Sequence, residues 1–409
     1  MKQIFKTLPF MGICFLSLSF QGKTQDPAVV VDSSLLERIN ALEKQVAYKK
    51  PGEEHFLMAG LATVGFASNK TTTTINGVKD VSKTNSLADV DHFEFSPMLL
   101  WRHGNKFLLE FEPSFADGGL GVNWANVSYF LTNGVIIRGG YLVLPFGTYS
   151  KRLAAGWIDK LATDPVGVAD VPPTTDFGME VEGGLQTGSM KWNYDVAISN
   201  GLQLLTDGTL QSVGITDNNR NKTITARIGW LPFSNSSLEL GSSIMTGKVA
   251  DAGSGFESLK ANMYAFDMNL VENSKPFQIN IKGQYNIIDV DQHDYENPDN
   301  SSNTYTFKNH TTSGFIQASL RPAFINNKAL KNFELAGRYG NFTTPENSIW
   351  GSKSTAYSVG LDYWLNWRSV VKFTYESVKN TNTSSKDLGG QTGALIQSNS
   401  MYLQFAIQL

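Results

Sequence analysis

The chain has 409 residues, of which 41% are hydrophobic, 11% aromatic and only 17% charged, against about 25% charged in an average soluble domain. That is too much apolar material for a disordered segment, and a formal charge of −3 offers no basic footprint for DNA or RNA. The single cysteine, Cys14, excludes an intrachain disulfide and a cysteine-based zinc site.

At the N-terminus, Lys2 and Lys6 precede an apolar run from Leu8 to Phe20. This predicts a secretory signal peptide over 1–25, cut after Ser19 or Gln25, because the run is too short to span a bilayer as a helix. Cleavage brings the net charge from −3 to −5 by removing Lys2 and Lys6, or to −6 if Lys23 goes too. Residues 26–52 then hold a helix and a linker. Asp32, Ser33 and Ser34 offer caps, and Leu35, Ile39, Leu42 and Val46 form the seam of a short coiled coil over 33–48. Two heptads need a partner, either neighbouring copies of the chain or the helix's own domain. Lys49-Lys50-Pro51-Gly52 breaks the helix.

From 53 to 409 the pattern changes to segments of about ten residues in which apolar and polar side chains alternate, the mark of strands with one apolar and one wet face. Tyr357, Val359, Leu361, Tyr363 and Leu365 share one face, and Phe277, Ile279, Ile281, Tyr285 and Ile287 share another. The wet faces carry Gln, Asn, Lys, Arg and Glu, and aromatics recur near strand ends. Sixteen such segments are predicted, at 55–67, 91–103, 106–116, 120–132, 135–144, 176–186, 190–200, 222–232, 237–247, 258–271, 277–289, 307–321, 332–342, 354–366, 368–378 and 397–408. Connections after even-numbered segments are mostly tight and those after odd-numbered ones mostly long, with 117–119 and 322–331 as exceptions. These features predict an all-β fold: one transmembrane antiparallel barrel with a polar lumen, short periplasmic turns and long external loops. The last segment alternates Met401, Leu403, Phe405, Ile407 and Leu409 and would close the barrel against the first.

Little in the chain suggests catalysis. Its five histidines are scattered, and neither a nucleophile elbow, a phosphate-binding loop nor a zinc-protease motif is present. Glu110/Glu112 and Glu180/Glu182 are i, i+2 pairs pointing into the lumen, read as pore charge rather than an acid–base couple. The acids of 289–299 lack the glycine of an EF-hand loop and read as a solvated external loop. No enzyme activity, cofactor or metal is expected.

The longest connection, 145–175, is the most informative. It carries Lys151, Arg152, Asp159, Lys160, Asp164 and Asp170 among aromatics. A sixteen-stranded lumen is wide enough that something must narrow it if solutes are to be selected, so this segment is predicted to fold inward as a constriction loop. The alternative is a loop lying over the mouth.

Val143-Leu-Pro-Phe-Gly147 with Arg152, Trp157 and Thr163-Asp-Pro165, Glu334-Leu-Ala-Gly-Arg-Tyr339, and Gly360-Leu-Asp-Tyr-Trp-Leu-Asn366 leading to Phe373-Thr-Tyr375 resemble the porin family that includes the phosphate-selective porins O and P. The resemblance implies a sixteen-stranded trimeric barrel with an inward third loop. It does not extend to phosphate, because the inferred lumen charges are mixed. Basic residues assigned inward are Arg138, Lys191, Arg227, Lys282, Arg321, Arg338 and Lys372. The acidic ones are Glu94, Glu110, Glu112, Glu180, Glu182, Asp195, Glu239, Asp267, Glu334, Asp362 and Glu376.

The expected function is an outer-membrane porin passing small hydrophilic solutes or ions, with fields that favour cations modestly or cancel, and with Arg152 and Lys160 as local anion contacts. The alternatives are a channel specific for phosphate or another small anion and, further off, a soluble secreted β-rich enzyme. Expected partners are outer-membrane lipid and lipopolysaccharide, two further copies of the chain in a homotrimer, and the solutes. The N-terminal helix and the C-terminus would lie in the periplasm.

Overall fold

The computed structural model describes residues 54–409 except 88–92, 117–118, 133, 170, 218, 255, 298–299 and 389. The signal peptide and the coiled-coil helix therefore lie outside the described residues.

Sixteen antiparallel strands form a closed barrel: β1 (His55–Ile75), β2 (Glu94–His103), β3 (Phe107–Ala116), β4 (Gly119–Thr132), β5 (Val135–Val143), β6 (Thr175–Thr187), β7 (Met190–Ser199), β8 (Thr223–Leu231), β9 (Leu238–Lys248), β10 (Lys260–Ser274), β11 (Phe277–Val290), β12 (His310–Arg321), β13 (Phe333–Thr343), β14 (Ser352–Asn366), β15 (Ser369–Asn382) and β16 (Leu395–Gln408). Each strand pairs with its sequence neighbours, and the sheet closes where β1 meets β16, from Leu61↔Gln408 to Thr74↔Leu395. Closure leaves no edge strand, so backbone groups are paired around the whole wall.

Side chains alternate as a wall between lipid and lumen requires. Tyr357, Val359, Leu361 and Leu365 are exposed on the outside, whereas Ser358 and Asp362 are buried within. Aromatic residues sit directly opposite one another across outward-facing ladders. Phe107/Tyr129, Trp192/Trp230 and Phe333/Tyr363 lie near the ends joined by short turns, and Phe95/Phe115 and Tyr141/Phe177 lie near the other end. Ring centroids are 4.9–6.2 Å apart, the spacing at which cross-strand aromatic pairs add to burial.

Three predicted long connections differ from expectation. Within the expected loop 68–90, β1 runs on to Ile75 and turns at Asn76 (φ 51°) and Gly77 (φ 80°) into a strand Val78–Leu87 that pairs with it. Both turn residues take the left-handed conformation that a two-residue hairpin demands and that Asn-Gly supplies. Within 201–221, Leu202–Leu204 pairs with Leu210–Ser212, and within 290–306, Asp294–Asn297 pairs with Asn300–Thr306. These outer hairpins lean on each other. Asn309 Nδ2 donates to the Gly208 carbonyl at 2.7 Å, and Trp350 Nε1 donates to that of Asp207 at 2.9 Å.

Candidate functional site

β5 stops at Val143, paired with Thr175, because Pro145 has no N–H to continue a ladder. Leu144 makes the last contact, donating to the Thr174 carbonyl at 2.6 Å. Leu144 and Phe146 then turn inward and pack on Ala197, Met245, Met263, Ala265 and Ile288, an apolar patch inside a lumen read from the sequence as polar. At Gly147 the chain takes φ +66°, and a Cβ there would fall 2.1 Å from Gln284 Nε2. The reversal therefore requires glycine. Gln284 Oε1 accepts from the N–H groups of Thr148 (2.8 Å) and Tyr149 (2.9 Å), satisfying the start of the single π-helical turn Tyr149–Leu153.

That turn aims two cations at the wall. Lys151 Nζ forms ion pairs with Glu180, with Asp195 at 2.5 Å and with Glu182 at 3.6 Å. Burial would lower its pKa, but the surrounding carboxylates outweigh that and raise it. Beside it, Arg138 bridges Glu110 (3.6 Å), Glu180 (3.5 Å) and Glu182 (3.0 Å). Arg152 reaches Glu239 at 3.0 Å, a carboxylate shared with Arg227, which also holds Asp267 at 2.6 Å.

The rest of the loop crosses to the far wall. Gly156 sits so close to β1 and β16 that a Cβ would lie 3.1 Å from Thr63 Cγ2 and 3.5 Å from Ala406 Cβ. Asp159 is the anchor. It lies 3.5 Å from Lys282 and 3.4 Å from Arg338, and it accepts from the Tyr149 hydroxyl and Gln317 Nε2, each at 2.9 Å. Burial opposes its ionisation, yet Lys282, Arg338 and Lys372 overcome this and hold its carboxyl below the usual carboxylate range. Lys160 lies 3.6 Å from Glu334 and 4.6 Å over the Trp364 ring, while Trp364 Nε1 donates to Glu334 at 2.8 Å. Lys372 donates to the Leu161 carbonyl (3.1 Å), Thr163 to Glu376 (2.8 Å), and Arg338 to Thr163 Oγ1 (2.6 Å) and the Asp164 carbonyl (3.1 Å). Tyr149 completes the seat: the single proton of its hydroxyl is shared between Asp159 and Asp164, the latter 2.7 Å away, and its ring packs edge-on against Phe315.

The structure thus gathers the residues singled out in the sequence into separate groups. Lys151, Arg138, Glu110, Glu180 and Glu182 form one cluster, and Arg152 and Arg227 meet at Glu239. Asp159, Lys160, Asp164, Lys282, Arg338, Lys372 and Asp362 form the loop's seat, where Asp362 stands opposite Lys372 across a β14–β15 rung. Arg321 borders this seat, 5.4 Å over the Trp364 ring that Lys160 also covers, and donates to the Lys331 carbonyl at 2.9 Å. Asp170 is outside the described residues. Expected as water-facing pore residues, Lys282, Lys372, Asp362, Arg338, Arg227 and Glu180 are instead buried, with 5% or less of their surface exposed. The loop covers the first four, and Arg227 is enclosed by its own carboxylates. Tyr149, Gln284 and Trp364 were not singled out, although Gln284 and Trp364 occupy inward positions of alternating strands. Glu180, Glu182 and Asp195 converge within 4.8 Å, a spacing that could hold a metal ion, but the Lys151 ammonium lies among them.

No family model and no curated protein matches the chain. Among solved structures it is similar to the outer membrane channel DcaP of Acinetobacter baumannii, with a TM-score of 0.55 at 12% identity over 88% of this chain and 99% of that one. It is also similar to an anion-selective porin from Comamonas acidovorans, with a TM-score of 0.51 at 14% identity over 87% and 100%. At such identities the likeness is one of fold. The shared feature is the closed barrel that these outer-membrane proteins also have, and the narrower resemblance to phosphate-selective porins finds no support in it.

Proposed function

We propose that this chain is an outer-membrane channel through which small hydrophilic solutes and ions diffuse passively. One observation carries the reading: a closed sixteen-stranded barrel, apolar and aromatic outside, encloses a charged lumen into which residues 144–174 fold and are held by ion pairs. The channel would be a homotrimer in contact with outer-membrane lipid and lipopolysaccharide, with its C-terminus and N-terminal helix in the periplasm. The loop would set the narrow section, with Lys151 and Arg152 on its rim. A phosphate filter would need lysine and arginine side chains free to take up the anion, and here Lys151, Arg152 and Arg138 are each bound to carboxylates.

Heating in detergent and planar-bilayer recording test the reading together. The purified protein should resist SDS unheated, shift in mobility on boiling and give stepwise conductance. A protein that migrates normally unheated and conducts nothing would sink it.

A further inference from the structure

The lumen charges are distributed unevenly. Beneath the loop, on β12–β15, Glu334, Asp362, Glu376 and the loop's Asp159 and Asp164 face five cations, Lys160, Arg321, Arg338 and Lys372, with Lys282 of β11 as the fifth. On β6 and β7, Glu180, Glu182 and Asp195, with Glu110 of β3 beside them, share just two cations, Arg138 and Lys151. Glu94 and Glu112, on β2 and β3, form no ion pair among the described residues. Their contacts are neutral donors, Ser96 Oγ at 2.6 Å and Asn123 Nδ2 at 2.9 Å.

Water reaches the acid-rich side. The side chains of Glu110, Arg138, Lys151 and Glu182 keep 13–21% exposure, although Glu180 and Asp195 behind them are buried; in the loop's seat Lys160 keeps 16% and Lys282 1%. A second observation points to a missing donor. Two acceptor oxygens in the same wall, Asn126 Oδ1 and Asp195 Oδ1, are buried without a hydrogen-bond partner, as are Gln317 Oε1 and both carboxylate oxygens of Asp362 under the loop, and Asn126 and Asp195 are more than nine-tenths buried. Asn126 stands opposite Glu110, and Asp195 opposite Glu182, across their ladders. A wall of acceptors is satisfied by groups that only donate and carry positive charge. The loop itself supplies two examples of the fit: an ammonium from Lys151 against β6 and β7, and the Arg152 guanidinium against Glu239.

We propose that the lumen selects small organic cations, ammonium- or guanidinium-bearing solutes of amino-acid size, and that the β2–β7 wall is their subsite, with Glu94 and Glu112 its unneutralised carboxylates. The proposal rests on the channel reading.

The test uses the purified full chain in planar bilayers under a KCl gradient and in proteoliposomes. Potassium should permeate at least about tenfold better than chloride, the lower end of the range over which a one-signed cleft concentrates counterions. Arginine should enter proteoliposomes faster than glutamate, and both preferences should fall by half or more in E94Q/E112Q, which keeps the side-chain shape and the Ser96 and Asn123 contacts. Heat-modifiable mobility checks that the variant folds. A conducting channel with a ratio near one or favouring chloride overturns the proposal and leaves the channel reading standing. So does a ratio, or an arginine preference, that E94Q/E112Q does not change. A folded barrel that never conducts overturns the channel reading itself.

Discussion

Asp159→Asn tests what holds the loop in place. The substitution keeps the side-chain volume and removes the one charge that Lys282 and Arg338 both contact, at 3.5 and 3.4 Å. These groups are 1–3% exposed, so solvent cannot compensate. Removing one partner of a buried ion pair costs about 3–5 kcal/mol, because the other charge is left stranded. At about 1.4 kcal/mol per tenfold, the balance between seated and displaced loop moves by roughly two to three and a half powers of ten. Single-channel records of D159N should show larger or noisier open levels. Trypsin should also cut after Lys151, Arg152 or Lys160, sites that the wild-type seat protects. Replacing both partners by apolar residues, as in D159L/K282M, should recover part of the loss, since a matched apolar pair is often neutral. A folded D159N barrel with wild-type conductance and no new cleavage would refute the anchoring role.

Four further outcomes follow from the same geometry. Because Asp159 is held below the usual range, its contribution is complete above about pH 4, the ordinary aspartate value, and drains away as pH falls further towards its own lower pKa; conductance should hold in mild acid and change only in stronger acid. Gly147→Ala puts a Cβ at φ +66° into Gln284, and at the roughly 1–3 kcal/mol typical of a strained backbone position it should loosen the loop root, read as faster tryptic cutting. Arg152→Ala uncovers Glu239 and should shift the reversal potential towards cations, less so at high salt; no shift would mean the loop rim does not line the narrow section. Deleting residues 26–50 should weaken trimers, measured by light scattering in detergent, without abolishing conductance.

The wall was legible because lipid on one side and water on the other impose a period of two on every crossing. Where the chain leaves the membrane that constraint lapses: Thr71–Thr74 carry no alternation, although Asn76-Gly77 held the signal for the turn that follows. The hairpins of 202–212 and 294–306 escaped notice for the same reason. Charged residues of the loop could be named, but their partners could not, since Arg338 lies 179 residues from Asp159 and Glu239 lies 87 from Arg152. Met245, Met263 and Ile288 point inward against the polar pattern because Leu144 and Phe146 cover them, and no local pattern records that cover.

The position of the loop in the chain also dictates an order of events. It leaves the wall between the fifth and sixth strands, yet Lys282, Arg338, Lys372 and Thr374 all come later in synthesis, and Gly156 touches the two strands, first and last, whose union seals the cylinder. Before those strands are in place the loop can be held only at its root, where Lys151 meets Glu180, Glu182 and Asp195 on the two strands that follow it. Contacts so distant in sequence form late, so the far-wall seat of the loop is completed only with the closing strands. Sealing of the cylinder and docking of the loop are therefore one event.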